Sequence, residues 1–224
     1  MGDSETGQSD RAGNIGTLRR EEYFPTLLYL RDVADADTLN LALADAIRAE
    51  RAADSQGIER SNVPALGGWH SRNGLHRDPA FASLAERIQA TATEIAENLD
   101  YDPDWPLAVQ DMWAIVNPPG SFNTSHVHPN CLWSGVYYVQ VPEGAGRISF
   151  TDPRHANVML RAVPRQGAER QPETWTEVLH EPLAGRIIVF PAWLYHAVEA
   201  NTHPGTGAAA ERIIVSFNLH QRQR

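Results

Sequence analysis

Two histidines that are two residues apart, His126 and His128, are the first candidates for chemistry in this sequence. Side chains at positions i and i+2 of a β-strand point to the same face, so both imidazoles can reach a common point. A third imidazole, His196, follows far downstream, after a strand that Pro191 ends. Three neutral imidazoles bind Fe, Zn, Cu or Ni, whereas Mg and Ca prefer oxygen ligands. We therefore predict a three-histidine metal site, the alternative being two solvated histidines on a surface strand.

An arginine near the C-terminus is the second candidate. In the run RIIVSFN, Arg212, Ile214, Ser216 and Asn218 alternate with their neighbours and therefore share one face of a predicted strand. A guanidinium on the inner face of a β-sandwich is costly to bury unless it meets an anion, and it can hold a carboxylate through two parallel hydrogen bonds. We predict that Arg212 binds a carboxylate, the alternative being that it faces solvent at a strand end.

The elements that must position these groups differ in periodicity along the chain. Over residues 37–100 the apolar spacing predicts two amphipathic helices, one with Asp37 as its N-cap and one with Asp78 as its N-cap and Pro79 in its first turn. From residue 107 onward, short alternating runs separated by Pro, Gly and Asn predict an antiparallel sandwich or barrel. A further strand is predicted over 22–33, at a sheet edge because it contains Pro25.

The polar residues 1–16 are predicted to be a disordered tail, and 17–224 a single domain with helical support at 37–100 and a β core at 107–220. The chain has 224 residues, 42% of them hydrophobic, which is typical of a globular protein with a sizeable core.

Charge and apolar runs narrow the class of protein. The net charge of −9 argues against nucleic acid or an anionic membrane as a partner, because the summed field repels both. No run approaches the ~20 apolar residues that cross a bilayer. The N-terminus lacks the features of a signal peptide, and the single cysteine, Cys131, excludes an internal disulfide. We expect a cytoplasmic protein.

The order of the motifs resembles that of the Fe(II)/2-oxoglutarate-dependent dioxygenases. An H-x-H pair is followed by SGVYYV, GRISFTDPR, PLAGRIIVFPAWLYHAV and finally RIIVSFN. More narrowly, the chain resembles an uncharacterised bacterial and phage branch related to the aspartyl/asparaginyl and prolyl hydroxylases. The resemblance covers about residues 107–220. It implies a mainly β (α+β) fold, a double-stranded β-helix of the jelly-roll or cupin-like kind, with the N-terminal helices packed on the sandwich.

The resemblance also implies site residues. His126 and His196 match the two histidines of the family's H-x-D/E…H triad, and Arg212 matches the basic residue that holds the distal carboxylate of 2-oxoglutarate. His128 stands where the family has an acid, so the third ligand is open between His128, Asp152 and water.

Three further polar residues are expected at the co-substrate site. Asn117 and Tyr138 would hydrogen-bond the co-substrate, and Ser216 would support Arg212. The cofactor set implied is Fe(II) with 2-oxoglutarate and O2. Three facial protein ligands leave room on an octahedral iron for a bidentate keto acid and O2.

The function implied is hydroxylation of a small-molecule or peptide substrate. One alternative is a cupin-like three-histidine metalloenzyme that does not use 2-oxoglutarate, against which Arg212 argues because such chemistry needs no carboxylate clamp there. Another is a non-enzymatic jelly-roll binding module, in which three histidines would meet only by accident. The sequence leaves the oligomeric state open, with a homodimer as the expectation.

Overall fold

The computed structural model describes residues 17–154, 159, 163–169 and 171–223, and its strands form two sheets that face each other. The strands are β1 (Tyr29–Asp32), β2 (Trp69–His70), β3 (Leu107–Asn117), β4 (Asn123–His126), β5 (Trp133–Gln140), β6 (Ile148–Thr151), β7 (Glu177–His180), β8 (Arg186–Pro191), β9 (His196–Val198) and β10 (Arg212–Gln221). The larger sheet has the order β1-β8-β5-β10-β3-β2, and the smaller sheet has the order β4-β9-β6-β7. All their pairings are antiparallel. The predicted tail, 1–16, lies outside the described residues.

Two helices, α1 (Ala36–Ala53) and α2 (Ala82–Asn98), pack on the outer face of the larger sheet, where α1 contacts β5 and α2 contacts β3. Their apolar stripes join a core under the helices that includes Leu43, Ile47, Leu84, Ile88 and Ile95. A second apolar core fills the space between the two sheets. The predicted architecture, N-terminal helices packed on a β-sandwich, is therefore confirmed.

Strand β10 shows why the sequence alternates as it does. Its odd-numbered apolar residues, from Ile213 to Leu219, point into the core under the helices and are fully buried. The even-numbered residues, from Arg212 to Asn218, line a cavity on the opposite face. Both faces of this strand are therefore used, one for packing and one for polar side chains.

The N-terminal elements differ from the prediction in their bounds. The strand predicted over 22–33 is only four residues long, although β1 does lie at a sheet edge. Phe24 has a positive φ of 59°, and Pro25 has no backbone N–H to donate, so regular strand geometry begins after them. The first helix begins at Ala36 without the side-chain cap expected from Asp37.

The second helix follows its sequence signals more closely. The Asp78 carboxylate accepts a hydrogen bond from the Ala80 N–H at 3.0 Å, and this caps a 3₁₀ turn, Pro79–Phe81, that leads into α2. The strand β2 is not predicted by the sequence, because a segment of two residues carries little periodicity. Neither helix in the described part of the chain is long and apolar enough to cross a membrane.

Candidate active site

A cavity of about 330 Å³ lies between the two sheets, and all three candidate histidines line it together with Arg212. The described residues that line it include two arginines and four histidines but no aspartate or glutamate. Its other walls are largely apolar and include Trp113, Ile148 and Phe190. A mostly apolar cavity with a few grouped polar side chains is the usual form of a small-molecule site.

His126 and His196 are brought together by strand pairing in the smaller sheet. The antiparallel register of β4 and β9 places His126 directly opposite His196. Residues that face each other across antiparallel strands have neighbouring side chains. The two rings accordingly lie 4.3 Å apart, measured between their centroids.

His128 reaches the same place by a different route. Strand β4 ends at His126, so the prediction that the two histidines share one strand face is wrong. The backbone N–H of His128 instead donates to the Ala192 carbonyl at 2.9 Å. Its ring centroid lies 5.1 Å from each of the other two. The three imidazoles are therefore assembled by a strand pair and by the segment that follows it.

The Nδ1 atom of each of these histidines lies against an oxygen. His126 Nδ1 lies 2.7 Å from the Thr124 carbonyl oxygen, and His196 Nδ1 lies 2.9 Å from that of Leu194. His128 Nδ1 lies 2.8 Å from Asn218 Oδ1 and 3.1 Å from Ser134 Oγ.

These contacts assign the proton to Nδ1 in the neutral rings and leave Nε2 as the free acceptor. One ring nitrogen of each histidine lies within 4.8 Å of the others, so the group could hold a metal ion.

Burial keeps two of these imidazoles neutral. It lowers the pKa of His128 to about 4, with a smaller contribution from the neighbouring His126. It lowers the pKa of His196 to about 3, again with help from His126. Neutral imidazole is the form that binds metals. The site is therefore poised for ligation near neutral pH.

Arg212 is fully buried, lines the same cavity as the three histidines and lacks a carboxylate partner among the described residues. Its Nη1 donates to the carbonyl oxygens of Ala145 and, at 3.0 Å, of Glu199. With its oxygen turned toward the guanidinium, the Asn117 amide accepts from Nη2 at 2.5 Å.

Among the described residues the Nε of Arg212 has no hydrogen-bond partner, and burial lowers the pKa of the guanidinium to about 10. A buried cation with an unpaired N–H calls for an anion, so the residue fits a carboxylate ligand.

The turn next to Arg212 depends on a glycine. Gly146 has a φ of +83°, and a Cβ there would lie 2.4 Å from the Glu199 carbonyl oxygen. Its freedom in this region of φ lets the Ala145 carbonyl and the Glu199 carbonyl approach the same guanidinium. This close approach is a local feature that the sequence expresses as GAG.

The remaining predicted residues fall in three places. Tyr138 and Ser216 line the cavity, and burial raises the pKa of the Tyr138 hydroxyl. Asn117 is buried against Arg212. Asp152, the other candidate for the third ligand, pairs with Arg154 at 2.9 Å and lines a different pocket. The structure brings the three histidines together and does not bring Asp152 to them.

Sequence reasoning missed the residues that hold His128. Asn218 was assigned to the inner face of β10, but nothing in the sequence indicates that it faces Ser134 across the β5–β10 pair. That register puts an amide oxygen and a hydroxyl beside the same imidazole. Arg60 and Asn62, from the segment between α1 and β2, and His70, at the end of β2, also line the cavity.

Comparison with known proteins agrees with this geometry. Residues 111–218 match the sequence model of a family described as "Putative 2OG-Fe(II) oxygenase", where 2OG is 2-oxoglutarate. The matched segment contains His126, His128, His196 and Arg212. Among curated proteins, none matches the sequence.

Solved structures share the fold at low identity. A prolyl-4-hydroxylase from Pseudomonas putida is 16% identical, with 87% of this chain and 92% of that chain covered and a TM-score of 0.55. The epimerase SnoN from nogalamycin biosynthesis, solved with Fe3+ and α-ketoglutarate, is 19% identical, with 88% and 81% covered and a TM-score of 0.59. A collagen prolyl hydroxylase of Paramecium bursaria Chlorella virus-1 is 14% identical, with 88% and 96% covered and a TM-score of 0.52.

The common architecture of these neighbours is the double-stranded β-helix, as the resemblance implied. The match to the 2OG-Fe(II) oxygenase family model over residues 111–218, the shared fold and the three-histidine group in the cavity all agree: this part of the chain is similar to the Fe(II)- and 2-oxoglutarate-dependent oxygenases.

Proposed function

We propose that His126, His128 and His196 hold one Fe(II) ion through their Nε2 atoms, and that Arg212 binds the distal carboxylate of 2-oxoglutarate in the same cavity. One juxtaposition carries the proposal. Three imidazoles with their Nδ1 atoms engaged lie around one point, next to a buried guanidinium that has no carboxylate partner among the described residues. The imidazoles offer ligands for a cation and the arginine requires an anion, and a chelated keto acid satisfies both.

The third ligand in this proposal is His128 rather than Asp152 or water. Its ring is fixed by Asn218 and Ser134, as expected for a ligand whose orientation matters. Asp152 is engaged by Arg154 instead. An all-histidine set differs in charge from the acid-containing set of the family, because it adds no anion to the iron.

The reaction we propose is hydroxylation of a small-molecule or peptide substrate. Iron with 2-oxoglutarate and O2 would supply the oxidising chemistry. The chain would supply the rest: Tyr138 and Ser216 offer polar contacts to the co-substrate, and Ile148, Phe190 and Val198 provide apolar walls that limit water near the iron. Cytoplasmic location, a homodimer, and no binding of nucleic acid or membrane remain predictions of the sequence.

Neither of the two alternative functions accounts for both the buried Arg212 and the fixed orientation of the three histidine rings. A cupin-like metalloenzyme without 2-oxoglutarate would leave Arg212 without an anion, and the cost of that burial argues against it. A binding module without catalysis would not require the Nδ1 contacts that fix the three rings.

Anaerobic titration of the Fe(II)-loaded protein with 2-oxoglutarate tests the proposal through the visible charge-transfer band of a chelated keto acid. We expect a saturable band in the wild type, weaker co-substrate binding in Arg212→Ala, and loss of iron in His128→Ala. Asp152→Asn is the matched control and should keep both. Stoichiometric iron without a band would overturn the 2-oxoglutarate assignment and favour the three-histidine alternative. Iron retained in His128→Ala and lost in Asp152→Asn would transfer the third ligand to Asp152.

A further inference from the structure

The exposed rim of the cavity is formed by residues that the proposed metal and co-substrate sites do not use. Arg60 and Asn62 are exposed, and they line the cavity together with the half-buried His70. All three precede the β core, in the segment that joins α1 to α2. Building on the proposed function, we infer that the substrate carries a carboxylate, and that Arg60 and Asn62 bind it at this rim.

The charge of the cavity favours an anionic substrate. The chain has 28 acidic residues against 19 Lys and Arg, yet none of the acidic side chains in the described residues lines the cavity. Fe(II) and Arg212 together carry one more positive charge than 2-oxoglutarate neutralises, because three neutral imidazoles add no anion. A cavity walled by apolar groups strengthens the attraction of this excess charge for a carboxylate.

Arg60 is held in place but keeps donors free. Its Nε donates to the His70 carbonyl at 3.2 Å, and its Nη2 pairs with the Asp54 carboxylate. Asp54 does not line the cavity, so it restrains the guanidinium without filling the space. Within the described residues Nη1 has no hydrogen-bond partner. A restrained arginine with free N–H groups loses little entropy when it binds a planar carboxylate.

Asn62 adds a second donor. Its Oδ1 accepts hydrogen bonds from the Thr124 N–H at 3.1 Å and from the Thr124 hydroxyl at 2.8 Å. The amide is therefore oriented with its NH2 group away from Thr124. Because Thr124 lies two residues before His126, this contact ties the rim to the strand that carries a proposed iron ligand.

His70 supplies an acceptor beside these donors. Its Nδ1 lies 2.7 Å from the Ser71 carbonyl oxygen, which leaves Nε2 to accept a hydrogen bond. The ring stacks on Trp113, and Trp113 stacks on His128, with 5.8 Å between centroids in each pair. An acceptor next to carboxylate donors suits an N–H close to the substrate's carboxylate. Both an N-acylated amino acid and the C-terminus of a peptide have this chemistry.

Binding of matched acids and amides tests the inference. The probes are a set of N-acetyl amino acids and a set of short peptides with free C-termini, each paired with its primary amide. Ligand-observed NMR would measure their affinity for protein loaded anaerobically with Fe(II) and 2-oxoglutarate. We expect the best acid to bind about 10-fold or more tightly than its amide, since a charge-assisted hydrogen bond is lost in the amide. Whether the preferred acid is in the first or the second set identifies the source of the carboxylate.

Variants connect this preference to the rim. Arg60→Gln should weaken binding of the acid by about 10-fold and leave the amide unchanged, while Arg60→Lys should retain part of the preference. Asn62→Ala should weaken the acid by a smaller factor. Arg186→Gln is the matched control, since Arg186 also pairs with an aspartate, Asp32, but outside the cavity. The control should keep the full preference.

Several results would overturn the inference. They are equal binding of acids and amides, binding by none of the acids, an undiminished preference in Arg60→Gln, and stronger competition from inorganic phosphate than from any acid. The charge-transfer band of 2-oxoglutarate, recorded in the same samples, separates this failure from that of the proposed function. If the band is present, only the carboxylate inference fails; if it is absent, the proposed function fails first.

Discussion

The two sheets differ in how completely they are buried and in what they contribute to the site. The larger sheet is covered by helices on one side and by the smaller sheet on the other, and Leu219 on β10 is fully buried. In the smaller sheet β7 alternates between exposed and half-buried residues, and Leu179 is 42% exposed. The larger sheet holds Arg212, and the smaller holds His126 and His196.

The two sheets therefore meet two different requirements of the site, the surroundings of a buried arginine and the positioning of metal ligands. A buried cation attracts an anion more strongly in a rigid surrounding of low dielectric, which a strand covered on both faces provides. Metal ligands can come from short strands when cross-strand register and backbone carbonyls fix their rings. His128 connects the two regions, because Asn218 and Ser134 of the larger sheet hold a ring that faces the two histidines of the smaller sheet.

The largest expected effect is on stability, when a leucine side chain is truncated in the larger sheet and, for comparison, in the smaller sheet. Leu219→Ala should lower the free energy of unfolding by about 2–5 kcal/mol, because it leaves a cavity in the core under the helices. Leu179→Ala, its matched control, should lower that free energy by at most about 1 kcal/mol, as its side chain is partly solvated. Chemical denaturation of the iron-free protein measures both, and equal losses would contradict the difference in burial.

A second prediction concerns the link between the sheets. Asn218→Ala removes the nearer of the two oxygens at His128 Nδ1 and should reduce iron affinity about 10- to 100-fold. Ser216→Ala changes a neighbour on the same face of β10 that makes no hydrogen bond to any histidine among the described residues, so iron affinity should be retained. Competition with a metal chelator measures both variants. Unchanged affinity in Asn218→Ala would mean that His128 needs no support from the larger sheet.

The pH dependence of the iron-free protein gives a third prediction. The pKa values of about 4 for His128 and about 3 for His196 lie below the ordinary value of 6.5. At a pH between the folded-state pKa and 6.5, each histidine is protonated in the unfolded chain but neutral in the folded protein. The free energy of unfolding therefore decreases as the pH falls from 6.5 toward 4. For His196 we expect a loss of about 1–2 kcal/mol between about pH 7 and pH 5.5.

Denaturation of the wild type and of His196→Gln at several pH values isolates this contribution. The variant should show a shallower loss of stability over the same pH range. Parallel curves for the two proteins would show that His196 titrates normally in the folded state.

The smallest effect should come from the pocket that contains Asp152. Arg154→Ala removes one partner of the Asp152 carboxylate, which lines a pocket other than the one that contains the three histidines. Iron affinity should remain within about twofold of the wild type, because Arg154 is itself exposed and lies outside the cavity that contains the histidines. The same chelator competition measures it. A large change would indicate that Asp152 reaches the metal after all.

Periodicity and motif order were sufficient to predict much of the molecule. The helical stripes of α1 and α2 and the alternating runs from 107 onward indicate their elements because side-chain period follows backbone geometry. The inner-face placement of Arg212, Ser216 and Asn218 follows from the same rule, and the cavity confirms it. The spacing of His126 and His128, together with the motif order that includes His196, predicted the three histidines that the structure brings together.

Tertiary structure alone decided how that group is assembled. The opposition of His126 and His196 depends on the register of β4 and β9, two strands too short to show a pattern in the sequence. His128 lies beyond the end of β4, and its ring is held by Asn218 and Ser134. Register and long-range contacts arise from packing among segments far apart in the chain, so local spacing predicts which residues can act, and the fold determines which of them meet.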